Sequence, residues 1–452
     1  MGSTNQLGSE KISRLVFKIA IPSMLAQFVS VLYSIVDRMY VGNIPNVGDL
    51  SLAGVGVCGP IVTMIGAFAF LIGVGGSPLL GIALGEGNRE KAEKILANCF
   101  VMLCGVSVLV TAAALTFKQP MLRLFGASEA IYPYANAYFT IYVSGTFFAL
   151  LSNGLYQFVV AQGYAKTGMC SVMLGAILNI ILDPIFIYGC HLGVQGAAIA
   201  TVLSQAGSAT FVLVFLLRKA DIKITFGGYS RSTMLRVLMM GFSPFIIIAV
   251  DNIMIIAMNA LLQGYGGSQG DTLVTINTIV QSFMLVMTMP LGGISAGTQC
   301  ILSYNFGARR TDRVRSAQKY IICMCMGYTA ILFILARVAG PLFVSLFTSD
   351  PALNAQTCHA IRICTLFAIP LGAQYAIVDG FTGMGQVKWA LTLSTWRKSV
   401  YFIALFLLPL FGGASLIFFA EPISDIIAFA VSMPVHLFIT PKILKKRETA
   451  TI

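Results

Sequence analysis

Residues 51–80 read SLAGVGVCGPIVTMIGAFAFLIGVGGSPLL, thirty positions without one charged side chain. As a helix rising about 1.5 Å per residue, such a run exceeds a hydrocarbon layer about 30 Å thick. Strand-length alternation is missing from it, and a soluble core helix has no use for so long an apolar cylinder. The pattern recurs. Further apolar runs lie at 15–41, 95–117, 134–159, 169–189 and 195–217, and then at 235–262, 273–303, 320–340, 356–381, 388–410 and 415–438. These predict twelve spans of an all-α polytopic membrane protein, because only helices and closed barrels satisfy their backbone inside lipid. The bulk composition agrees. The 452 residues are 57% hydrophobic and 10% charged, with mean hydropathy +0.85. Soluble domains carry roughly 25% charged residues.

Charge fixes the expected topology. An even number of spans puts both termini on one side. That side collects 22 of the 29 basic residues against seven of the 17 acids. The positive-inside rule makes it cytoplasmic. The net charge of +12 is therefore a topology signal, and no nucleic-acid partner is expected. The ten cysteines form no CxxC pair, and most sit within apolar runs, as in Cys323-Met324-Cys325. Neither a disulfide framework nor a zinc site is expected. The first apolar run is too long for a signal peptide and reads as the first span.

The halves align at a fixed offset of 222. Pro22 falls on Pro244, Gly85 on Gly307, Leu124-Phe125 on Leu346-Phe347, and Gly163 and Lys166 on Gly385 and Lys388. A duplicated six-helix unit has parallel topology, which suits a transporter with a cleft between two lobes. The division expected is an N-terminal lobe at 1–218, a mobile cytoplasmic linker at 219–233, and a C-terminal lobe at 234–452.

Ionisable groups inside spans are costly and usually functional. Asp37 stands in the first span. Asn179 and Asp183 share a face of the fifth, Asn153 and Gln157 a face of the fourth, and Thr201 lies in the sixth. Two carboxylates with amides and a hydroxyl can take up a proton or ligate Na+. Tyr33, Tyr138, Tyr142 and Tyr156 are candidates for an amphipathic pocket. The second half replaces Asp37 by Asn259 and Asp183 by Leu405 at the repeat offset. Its own polar set includes Asp251, Asn277, Gln281, Asp379 and Arg397. Arg397-Lys398 is expected to pair with Asp251 or Asp379, or Lys398 to snorkel. Glu421 and Asp425, with no base beside them in sequence, are expected to line a cavity. No nucleotide-binding or catalytic motif is present in context, so no enzyme activity and no cofactor are expected, and coupling falls to an ion gradient.

Several stretches, in order, carry a resemblance. They are Ile21-Pro22 with Val36-Asp37-Arg38, Leu84-Gly85-Glu86-Gly87-Asn88-Arg89, Ala161-Gln162-Gly163, Asn179 to Pro184, Gly193 to Thr201, Tyr304-Asn305-Phe306-Gly307-Ala308 and Pro422-Ile423-Ser424-Asp425. The chain resembles the multidrug and toxic compound extrusion (MATE) transporters, most closely the bacterial branch of DinF-like and MepA-like exporters. The resemblance implies two six-helix lobes that face outward and inward in alternation. It implies proton- or sodium-driven export of amphipathic organic cations across a bacterial inner membrane, by a monomer in the lipid bilayer. It puts an ion site on Asp37, Asn179, Asp183 and Thr201, with Asn153 nearby. In the NorM-like branch, acids of spans 7 and 10 serve instead, where Asp251 and Asp379 stand. The alternative is a lipid or lipid-linked precursor flippase of the same fold superfamily.

Overall fold

The computed structural model describes residues 3–348 and 350–449. Among them the chain is helical throughout. The spanning elements, in chain order, are α1 (Ile12–Gly42), α2 (Gly48–Gly85), α3 (Arg89–Thr116), the bent pair α4 (Tyr132–Ser144 and Thr146–Ala161), α5 (Ala165–Pro184) and α6 (Val194–Arg218). The second set is α7 (Arg231–Gly266), α8 (Gly270–Gly297, continued by Gln299–Gly307), α9 (Thr311–Val338), the bent pair α10 (Pro351–Cys364 and Ala368–Gly383), α11 (Val387–Gly412) and α12 (Ala420–Thr449). Nine of the elements are long and apolar enough to cross a membrane singly, and the two bent pairs make eleven. The twelfth is α11, which is long enough but carries Arg397 and Lys398 in its middle. The fold is thus the expected one: twelve membrane-spanning helices in two six-helix lobes.

Several helices run beyond their apolar stretch into charged sequence. The third begins at Arg89, not 95, because Asn88 caps it by accepting the Lys91 N–H at 2.9 Å. Its first turns are then held by Arg89–Glu93 at 3.1 Å and Glu90–Lys94 at 2.6 Å. Lys, Glu and Arg are good helix formers, so hydropathy underestimates such ends. The two bends, 56° in α4 and 47° in α10, are also absent from a hydropathy reading. In α4 the break falls at Gly145, where a Cβ would lie 2.4 Å from the Val202 side chain of α6. Short helices at Lys118–Leu124 and Gly340–Val344 occupy corresponding connections in the two halves.

The chain packs as two compact units. One comprises residues 1–9 and 25–248, the other 10–24 and 249–452. The leading half of α1 therefore groups with the second unit, and the leading half of α7 with the first. Within the first unit, α2 threads two apolar layers. Cys58, Ile61 and Ile65 pack with Phe139, Leu150 and Ala197. Ile72, Leu80 and Ala83 pack with Leu96, Phe158 and Leu216. The segment after α6 joins this second layer: Ala220, Ile222 and Ile224 are buried in it. Gln162, itself fully buried, donates to the Ile222 carbonyl at 3.1 Å and accepts the Ile222 N–H at 2.7 Å. Asn98 accepts the Ser230 N–H at 2.9 Å, and Arg89 donates to the Asp221 carbonyl at 2.7 Å. The expected mobile linker is in fact a docked strap. The segment contains Gly227-Gly228, both at positive φ, but alternate apolar residues on either side of Asp221 anchor the chain.

Candidate functional site

In the first unit, Asp37 comes from the later part of α1, and Asn179 and Asp183 from one face of α5. Asp183 is fully buried and Asn179 nearly so. The Asn179 amide donates to Asp183 Oδ1 at 3.1 Å. The carboxyls of Asp37 and Asp183 lie within hydrogen-bonding reach of each other. Asp37 Oδ1, Asp183 Oδ2 and Asn179 Oδ1 are all buried without a hydrogen-bond partner. Among the described residues neither carboxylate forms a salt bridge. Two such groups in low dielectric cannot both hold an unscreened charge, so the pair calls for a cation.

The local chain is built for this. Pro184 follows Asp183 directly and lacks an N–H, and the helix continues as a π-helical turn, Ile185–Gly189. Such widened turns concentrate at functional sites. From this turn Tyr188 donates its hydroxyl to the Tyr40 carbonyl at 2.7 Å, which ties the end of α1 to α5. Tyr33 stands one turn before Asp37 on α1, and Tyr138 and Tyr142, buried on α4, pack in the same apolar layer as Tyr188. The Tyr138 and Tyr142 rings stack with centroids 6.0 Å apart. Thr201, on the neighbouring α6, donates its hydroxyl to the Ala197 carbonyl at 2.9 Å.

Gln205, one turn beyond Thr201, donates to the Tyr142 hydroxyl at 3.3 Å. Sequence reading passed over it, although its i,i+4 spacing from Thr201 was available as a signal. Asn153 is not drawn into the cluster: its amide donates to the Ala149 carbonyl at 3.0 Å and the residue is exposed. Gln157 packs beside Gly73, where a Cβ would lie 2.9 Å from its Cγ.

The second unit arranges its polar residues differently. Arg397 is buried and bonds to Glu421 at 2.8 Å and Asp425 at 3.0 Å, with Tyr375 beside it. Arg397 itself pairs with neither Asp251 nor Asp379; the expected pairing of Arg397-Lys398 with Asp251 is made by Lys398. The acids thought to lack a base have one, supplied from α11 and so invisible to a search of their sequence neighbours. Asp379 accepts from the Ser295 hydroxyl, with Gln299 alongside. Asn277 donates to Asn259 at 2.8 Å, and Gln281 reaches Asn277 at 3.5 Å. The amide that replaces Asp37 in the repeat is thus matched by another amide. Asp425 Oδ2 remains buried and unpartnered. Among the described residues no group of three or more His, Cys, Asp or Glu is placed to hold a metal ion.

The MatE family model matches residues 22–185 and 248–405, one stretch in each repeat. Multidrug export protein MepA of Staphylococcus haemolyticus is 25% identical over 407 residues, covering 89% of this chain and 88% of that protein. MepA of Staphylococcus aureus (strain N315) is 22% identical over 428 residues, 92% of each chain. Among solved structures, an outward-facing MATE family transporter of the MOP superfamily aligns with a TM-score of 0.90 at 23% identity, covering 97% of this chain and 98% of that one. A MOP superfamily transporter from Pyrococcus furiosus aligns at 0.89 with 22% identity, over 98% of both. At such identities the structural likeness speaks for the fold. The family match spans most of the chain and both repeats, and on it this protein belongs to the MatE family.

Proposed function

We propose that this protein is a secondary active multidrug exporter, carrying amphipathic organic cations outward in exchange for H+ or Na+. It works by alternating access, as a monomer in a bacterial inner membrane with both termini in the cytoplasm. Its moving lobes are 1–218 and 234–452, joined at 219–233. The observation that carries the reading is the trio of buried, unpartnered oxygens on Asp37, Asp183 and Asn179. Hard oxygen donors that form no salt bridge among the described residues fit a proton or Na+, and Thr201 stands on the neighbouring α6. A coupling ion that neutralises the pair removes its desolvation cost and lets α1 and α5 close on it. Substrate and ion then favour opposite states, which requires unequal affinity for the two. The MepA relatives are named as multidrug exporters, which supports the same substrate class. The flippase alternative needs bases free for a pyrophosphate, and Arg397 and Lys398 are each matched by acids.

The test is dye efflux from proteoliposomes at equal protein incorporation, with pH and sodium gradients imposed separately. Asp183→Asn keeps an amide in place of the carboxyl but cannot titrate. Its gradient-driven efflux is expected to fall to the level of empty liposomes, and Asp37→Asn nearly as far. Near wild-type efflux by Asp183→Asn would refute the site.

A further inference from the structure

The connection between α9 and α10 encloses an open cavity of about 600 Å³, lined by Ser345, Thr348, Asp350, Pro351, Asn354 and Arg362 among others. The duplication shows why it is there. At the repeat offset of 222, Arg123 falls on Ser345, Glu129 on Pro351 and Tyr132 on Asn354. In the first half those three residues contact one another at the surface. Arg123 bonds to Glu129 at 2.7 Å and stacks 5.3 Å from the centre of the Tyr132 ring. The hydrogen bond from Arg123 holds the Glu129 carboxyl below the usual carboxylate range. In the second half all three are replaced by smaller, neutral residues, and all three replacements line the cavity.

Positive charge has meanwhile moved to its wall. Arg362 stands at the repeat position of Thr140. Its guanidinium donates to the Arg337 carbonyl at 3.4 Å, while Arg337 donates to the Arg362 carbonyl at 3.4 Å. Arg337 is further engaged away from the cavity, donating to the Phe333 carbonyl at 2.9 Å and the Thr365 hydroxyl at 3.3 Å; Arg362 lines the cavity and among the described residues forms no salt bridge. Asp350, the one acid lining the cavity, is engaged as a helix cap, accepting the Ala352 N–H at 2.9 Å. The Thr348 hydroxyl accepts the Asp350 N–H at 3.1 Å and keeps its own proton to donate. Val338, Leu342 and Leu346, apolar residues close by in the chain, are 71–76% exposed.

We propose that this cavity binds a phosphate group between Arg362 and Thr348, supplied by an anionic phospholipid headgroup or by free phosphate. A guanidinium group suits phosphate oxygens geometrically as well as electrostatically. The site lies apart from Asp37 and Asp183 and does not depend on their role.

The test uses full-length protein in nanodiscs of phosphatidylcholine with a minor fraction of phosphatidylglycerol. After extraction into detergent, native mass spectrometry counts the retained lipids. Delipidated protein is melted with and without inorganic phosphate. Wild type is expected to retain phosphatidylglycerol, and Arg362→Gln to lose it about tenfold, the equivalent of one charge-assisted contact, with phosphatidylcholine unchanged. Asn354→Tyr restores the ring present at Tyr132 without touching either arginine, so it keeps the test open should Arg362→Gln fold poorly; it should lose the lipid equally. Stabilisation of wild type by phosphate alone, abolished in both variants, would identify free phosphate as the source. Equal lipid retention in wild type and variants with no phosphate effect, or no binding of either probe to wild type, overturns the proposal.

Discussion

At the scale of single residues the two halves solve the same problem in opposite ways. The first leaves Asp37 and Asp183 without a base. The second buries Asp425 and matches it, with Glu421, to Arg397. Removing one member of a buried ion pair is costly because it strands the other, about 3–5 kcal/mol. Arg397→Gln is therefore expected to lower the melting temperature in detergent sharply, since it strands two carboxylates. Asp425→Asn should do so much less, because Glu421 still meets the guanidinium. Combining both changes should recover part of the loss, as coupled neighbours do. Equal losses from the two single variants would mean that the triad does not act as a unit. The polar residues were legible in the sequence as polar residues in apolar spans. Their partners were not, because Arg397 lies 24 and 28 residues from its acids and nothing in a helical period connects α11 with α12.

At the scale of elements, the strap after α6 gives a structural reason for the Ala161-Gln162-Gly163 stretch. Gln162 bonds to both backbone groups of Ile222 and so holds the segment as a further strand of chain would. Gln162→Ala removes both bonds and costs about 2 kcal/mol. The opened fraction should rise by roughly thirtyfold. Trypsin cleavage at Lys219 or Lys223, in protein held in detergent, is the measurement, and an unchanged rate would sink the idea of a docked strap. Element existence was readable from hydropathy for all twelve spans. Their ends and bends were not: charged first turns such as Arg89–Glu93 propagate helix past the apolar run, and the break at Gly145 answers to Val202 on another helix.

For the whole molecule, charge asymmetry predicts which side faces the cytoplasm. Tyr229 on the strap and Leu124 on the opposite connection are both well exposed. Cysteines placed there, in a background lacking the exposed Cys170, Cys190 and Cys323, should react differently with an impermeant thiol reagent on intact cells. Leu124→Cys should label and Tyr229→Cys should not; the reverse pattern would invert the topology. The sequence by itself determined the membrane class, the twelve spans, the duplication and the acids of the first half. Apolar length, charge bias and repeat offset are one-dimensional quantities, and the bilayer reads them one helix at a time. Only the tertiary structure decided that Asp37 and Asp183 face each other, that Arg397 belongs to Glu421 and Asp425, that the linker is a strap, and that a cavity opens beside Arg362. Each of these depends on which helix faces touch, and that is set by packing between segments far apart in the chain.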